Sequence, residues 1–176
     1  MDLTKKVLPN TVKVCGKTYS IYTDFRVWME FENAVTNGRV QEFEPAKLFK
    51  NVYPEKIPLQ DMFVFLRPPA ELPRSIGGTD RIVLDYELDA DYIYAAFLAQ
   101  YGIDLIDIEY LHWHKFLALL KGLNSDQKLV QIMGYRSYDK NAGNKDQYEK
   151  LEYAWRIEKM TPEEAAELED FSNKFE

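Results

Sequence analysis

The sequence predicts a mainly α-helical fold: a multi-helix, bundle-like domain with a small β-hairpin near its N-terminal end. Three observations carry this. Apolar residues recur at helical spacing in several segments that open on Thr, Asp or Ser and close on glycine. One short stretch, Thr11–Tyr22 (TVKVCGKTYSIY), alternates apolar and polar residues instead. The densest apolar block is Asp89–Met133 (DADYIYAAFLAQYGIDLIDIEYLHWHKFLALLKGLNSDQKLVQIM). It is aromatic, helical in pattern and almost free of Ser, Thr and Pro.

In the hairpin, Val12 and Val14, then Tyr19 and Ile21, alternate about Gly16-Lys17. Two strands are marginal alone, so they must lie against helices. Cys15 reads as a small apolar strand residue. Thr23 or Asp24 then caps a helix over Phe25–Asn37, stopped at Asn37-Gly38. Phe25, Trp28, Met29 and Val35 form its apolar stripe, and Glu32 lies on the same stripe. A carboxylate there calls for an ion pair or a position at the stripe's exposed end.

Glu44-Pro45 opens a short helix with an apolar face of Ala46, Leu48, Phe49 and Val52. Leu59–Leu66 (LQDMFVFL) reads equally as helix or strand. Arg67–Asp80 (RPPAELPRSIGGTD) is a Pro/Gly loop, and Arg81–Tyr86 a short extended entry. Asp89 caps a helix over Ala90–Tyr101 that ends at Gly102. Asp104 or Asp107 caps the next, Ile108–Lys121, ending at Gly122. Ser125 or Asp126 opens a third, Gln127–Met133, stopped at Gly134. Asp139–Gln147 is polar and loop-like, and Tyr148–Lys159 resumes a helical pattern. Thr161-Pro162-Glu163-Glu164 starts a final helix with a capping box, carrying Leu168, Phe171 and Phe175. The expected parts are thus 1–66, a loop at 67–80, an aromatic helical block at 81–138 and a C-terminal extension at 139–176. Residues 11–138 would form one compact domain.

Composition narrows the function. The 176 residues are 46% hydrophobic and 29% charged, as in folded soluble proteins. A net charge of −7 argues against nucleic-acid binding and against docking on anionic membranes. Met1–Asn10 lacks the apolar core of a secretory leader, no apolar run approaches membrane-spanning length, and the lone cysteine suits a reducing cytoplasm.

The motifs hold little chemistry. His112-Trp113-His114 resembles a metal signature, but residues two apart on a helix point to nearly opposite sides. His112 would face solvent and His114 edge the core. With one cysteine and no further histidine, a tetrahedral zinc site is disfavoured, and neither metal nor cofactor is expected. The acids at Asp85–Asp91 and Asp104–Glu109 suit helix starts and lack calcium-loop spacing. No nucleophile elbow or Cys/His pair is present, so an enzyme is disfavoured. Carboxylates brought together by folding leave a small hydrolase as the weakest rival.

What remains is aromatic. Tyr92, Tyr94, Phe97, Tyr101, Tyr110 and Trp113 exceed what one buried stripe needs, so some should meet another protein. Tyr94, Tyr101 and Trp113 are candidate contacts. Trp155, Phe171 and Phe175 join them because they follow a polar linker and could swing outward. Docking back on the chain's own core stands as the alternative for these three.

DADYIYAAFLAQYGIDL, EYLHWHKFLALLKGL and IMGYRS, with DFRVWMEFE at Asp24–Glu32, resemble the "gene product fifteen" family of tailed bacteriophages and their prophages. The resemblance covers about Tyr19–Ser137, and the central block is its specific part. It implies a tail assembly chaperone, because genes of this family typically lie between those of the major tail protein and the tape-measure protein. Such a protein would bind the long, helical, aggregation-prone tape measure in the host cytoplasm. It would keep that partner soluble while tail-tube subunits polymerise, then leave, so it would be absent from the mature virion. The tube protein is a further partner that this implies, and self-association is a separate expectation. A structural tail or head–tail completion protein is the rival within the same setting.

Overall fold

The computed structural model describes residues 4, 6–67, 81–138 and 145–158. Its only sheet among these is an antiparallel hairpin, β1 (Thr11–Val14) and β2 (Lys17–Ser20), pairing Val14 with Lys17 and Val12 with Tyr19. The turn is therefore Cys15-Gly16, one residue earlier than the alternation suggests. Both residues have positive φ, 47° and 82°, as a type I′ turn demands. Cys15 is exposed at the tip and is not a buried strand residue. Val12 and Val14 turn inward, and the hairpin rests on α2 (Leu59–Leu66), whose Asp61 accepts from the Cys15 amide at 3.0 Å.

Six α-helices are described, so the fold is mainly α with an N-terminal hairpin, as expected. Helix α1 (Phe25–Thr36) starts where Asp24 accepts from the Arg26 amide. Its buried face is Phe25, Trp28, Phe31 and Asn33; Met29 and Val35 pack only at the margin. The Pro45 segment is a 3₁₀ turn over Pro45–Leu48, shorter than expected, because Phe49 leaves it to bridge Ile21. Val52 falls outside that turn's apolar face and is exposed. Leu59–Leu66 resolves as helix, burying Met62, Phe65 and Leu66. Residues 81–85 carry no regular structure, and a turn leads into α3 (Ala90–Tyr101), which closes on Gly102 at φ 63°.

The largest departure lies before α4, which spans Trp113–Lys121 and not Ile108–Lys121. Residues 111–113 pair with 23–25: Phe25 N–H donates to Leu111 O at 2.9 Å and Trp113 N–H to Thr23 O at 2.8 Å. Amides used across the fold cannot serve a helix, so tertiary pairing overrides local propensity. Asp104 folds its own turn instead, accepting from the amides of Ile106 and Asp107. The cap of α4 is the His112 ring, which accepts from His114 N–H at 3.0 Å.

Helix α5 (Lys128–Arg136) runs through Gly134, which does not stop it, and its cap position is Gln127. Helix α6 (Lys145–Trp155) begins earlier and ends sooner than the 148–159 pattern suggests. It packs on α5. One apolar cluster runs from Val12 to Leu129, drawing on both sides of the 67–80 segment. Residues 68–80 of that segment and the final 161–175 helix expectation, with Leu168, Phe171 and Phe175, lie outside the described residues. Among the described residues, no helix is long and apolar enough to cross a membrane.

Candidate functional site

Of the aromatic surplus, Phe97 and Trp113 are buried, Tyr92, Tyr94 and Tyr101 are half-buried, and Tyr110 is exposed. Phe116 on α4 stacks nearly parallel on Phe25 and on Phe97, both at 5.1 Å, and on Trp113 at 5.6 Å. Three elements, α1, α3 and α4, thus meet on one ring, with an attraction beyond area burial alone. Trp113 is wholly buried and donates its indole N–H to Leu66 O at 2.8 Å, closing the C-terminal turn of α2. Its ring is core, not surface, in this fold. Trp28 makes the equivalent bond to Tyr22 O.

His112 and His114 are both buried, so His112 does not face solvent. The opposite-sides geometry also fails, because His112 precedes the helix; the two rings lie 5.1 Å apart, edge to face. They nevertheless do structural work. His112 accepts from His114 N–H through Nδ1, so its proton sits on Nε2, which donates to Pro9 O at 2.9 Å. His114 Nε2 donates to Phe65 O at 2.8 Å. Burial lowers the pKa of both. Among the described residues, no three His, Cys, Asp or Glu side chains gather as a metal set would require.

The acids likewise resolve into structural roles. Glu32 accepts from Arg67 Nε at 3.1 Å and from the Tyr86 hydroxyl at 3.3 Å, the ion pair its stripe position calls for. Burial raises its pKa against the opposing pull of Arg67. Burial and the Glu32 charge together push the Tyr86 phenol up. Burial also works against the charge on Asp85, but donors from Leu88, Asn37 and Glu87 prevail and hold its carboxyl below the usual range. Asp89 stands at the start of α3 without capping it. It receives Arg136 in a two-pronged pair instead, at 2.5 and 2.9 Å.

The remaining candidate contacts lie nearer the surface. Tyr94 is half-buried and donates to Asp104 at 2.9 Å; Tyr101 is half-buried and donates to Leu119 O at 2.8 Å. Both are partly accessible while the hydroxyl staples the fold. Trp155 packs edge to face on Tyr92, lies under Lys128 at 5.0 Å, and its carbonyl accepts from Arg136 Nε at 2.7 Å. The described part of the C-terminal extension therefore docks on the core. Phe171 and Phe175 lie outside the described residues.

Sequence reasoning missed the more exposed apolar side chains. Ile106 and Tyr153 are about three quarters exposed (75% and 74%), and Val7, Val52, Val64 and Leu88 are nearly so. No periodicity marks them, because most lie on turns or on the outer face of short helices. Sequence reasoning also missed an open cleft of about 380 Å³ lined by Lys6, Val7, Leu8, Asn10, Thr23, Lys50, Tyr110, His112 and Lys115.

The fold and these surfaces define a mainly helical protein whose buried polar groups serve its own architecture. Among the described residues, its outward features include aromatic edges, scattered apolar side chains and a basic cleft. The family model described as Bacteriophage Gp15 protein matches residues 4–160, and the chain belongs to that bacteriophage family. No curated protein and no solved structure matches it.

Proposed function

We propose that this protein is a non-enzymatic tail assembly chaperone. It binds the tape-measure protein in the host cytoplasm and keeps it soluble while the tail tube forms. The observation that carries the reading is family membership over residues 4–160. The surface is compatible with it. Large apolar side chains such as Ile106, Tyr153, Val64 and Leu88 stand outward, where an amphipathic helix could cover them. Tape-measure helices would be held at apolar grooves and released when tube subunits compete for the same surface. Tyr94, Tyr101 and Trp155 offer half-exposed aromatic edges for this, with Phe171 and Phe175 as further contacts. Neither nucleic acid nor membrane enters the scheme.

The test is co-expression with the tape-measure protein of the same phage. The chaperone should shift that partner from pellet to supernatant and co-purify with it. A partner equally insoluble with and without the chaperone would end the reading. Abundant retention in purified virions, read by mass spectrometry, would favour a structural tail component instead. If capture is unchanged by F171A and F175A together, those two residues leave the contact set.

A further inference from the structure

We propose that the cleft between residues 6–10 and the start of α4 binds an acidic segment of a protein partner. The chain carries a net charge of −7, yet three lysines, Lys6, Lys50 and Lys115, converge on this one cleft. No Asp or Glu is among its described lining residues. Lys47, outside the cleft, is paired with Glu30 at 2.8 Å, whereas these three form no ion pair among the described residues. Lys50 instead lies over the Tyr22 ring at 5.6 Å.

The other lining groups can also donate. Thr23 and Tyr110 share one hydrogen bond at 2.7 Å, which uses one of their two hydroxyl protons and leaves the other to donate. The Asn10 side-chain amide adds two N–H donors beside its carbonyl acceptor. His112 contributes no free acceptor, since its Nδ1 takes the His114 amide and its Nε2 proton goes to Pro9 O. A concave site with three ammonium groups, further donors and, among the described residues, no carboxylate selects an anion. Val7, 70% exposed, and Leu8 add an apolar rim, which free phosphate or acetate would leave uncovered but a peptide side chain would cover. A long polyanion would meet the acidic remainder of the surface, so a short segment with a few carboxylates and an apolar neighbour fits best. The proposal holds whether or not the partner is a tape-measure protein.

The experiment is fluorescence anisotropy on the full chain with a labelled peptide of alternating Glu and Leu. A second peptide with Gln in place of each Glu is the control. The Glu peptide should bind, the Gln peptide should not, and added salt should weaken binding. Lys50→Glu with Lys115→Glu should raise Kd at least about tenfold, while Lys47→Glu should leave it unchanged. Lys50→Gln with Lys115→Gln, with folding checked by circular dichroism, serves if charge reversal unfolds the chain. No binding of the Glu peptide, equal binding of the Gln peptide, or an unchanged Kd in the lysine variants would overturn the proposal. So would complete displacement by inorganic phosphate at matched charge, which would make this a small-anion site.

Discussion

Arg136 and Asp89 form a two-pronged ion pair sealed inside the protein, their side chains 6% and 1% exposed. The same guanidinium donates to Val83 O at 3.1 Å and to Trp155 O at 2.7 Å. One residue at the end of α5 thereby joins the start of α3, the 81–85 segment and the end of α6. Removing Arg136 strands a buried carboxylate, a change that costs about 3–5 kcal/mol in such sites. Arg136→Met should lose stability on that scale in urea unfolding. It should also raise amide exchange through α6 before the rest of the fold. The double variant Arg136→Met with Asp89→Leu should recover part of the loss, because no lone charge stays buried. A double variant as unstable as the sum of the singles would mean the pair is not coupled.

Trp113 gives a sharper division between core and contact. Its indole N–H bonds Leu66 O at 2.8 Å in a wholly buried position. Trp113→Phe keeps most of the ring stack on Phe116 but leaves that carbonyl unpaired, a loss of roughly 1–3 kcal/mol. The expected outcome is a lower thermal midpoint with partner capture unaltered at temperatures where the variant is folded. Weakened capture at unchanged stability would return Trp113 to the contact set.

Acid should loosen the start of α4. His112 and His114 have pKa values held below the ordinary 6.5 by burial. The unfolded chain then takes up protons first as pH falls, so their contribution is present above about pH 6.5 and is lost below it. Protonated His112 also could not accept the His114 amide through Nδ1. Stability measured between pH 7 and 5 should fall, and His112→Asn, which can still cap, should reduce that slope without abolishing it. Glu32 acts in the opposite sense. Its raised pKa means the folded state takes up its proton first, so acid relieves the cost of its burial. The comparison of variant with wild type cancels this term. An identical slope in the two proteins would exclude His112 as a source.

Elements whose ends are written in local chemistry were legible in the sequence: Asp24 before α1, Gly102 after α3, the alternation of the hairpin. What stayed hidden depends on distant pairing. The start of α4 is set by the bridge between Asp24 and His112, so residues 108–112 carry a helical pattern without forming helix. Arg136 lies beyond the helix expected over Gln127–Met133 and gives no local sign of being buried against Asp89. The basic cleft draws on residues 6–10, 23, 50 and 110–115, which no window of sequence brings together. The aromatic surplus was legible as a quantity, but which members are buried was not: Phe97 and Trp113 join the stack about Phe116, which depends on three helices meeting.

Cys15 stands at an unfavourable backbone position that one substitution can relieve. It holds φ 47° as the first residue of the hairpin turn, where L-residues other than Asn and Asp are disfavoured, and it is exposed. The chain meets the same demand at Asn51, φ 60°, with a residue type suited to it. The contact Cys15 makes to Asp61 comes from its backbone amide and survives any side-chain change except proline. Cys15→Asn should therefore stabilise the protein by up to about 1 kcal/mol, while Cys15→Val, β-branched at positive φ, should destabilise it. Thermal unfolding of the two variants checks the order. A Val variant as stable as the Asn variant would show that the turn does not hold positive φ at this residue.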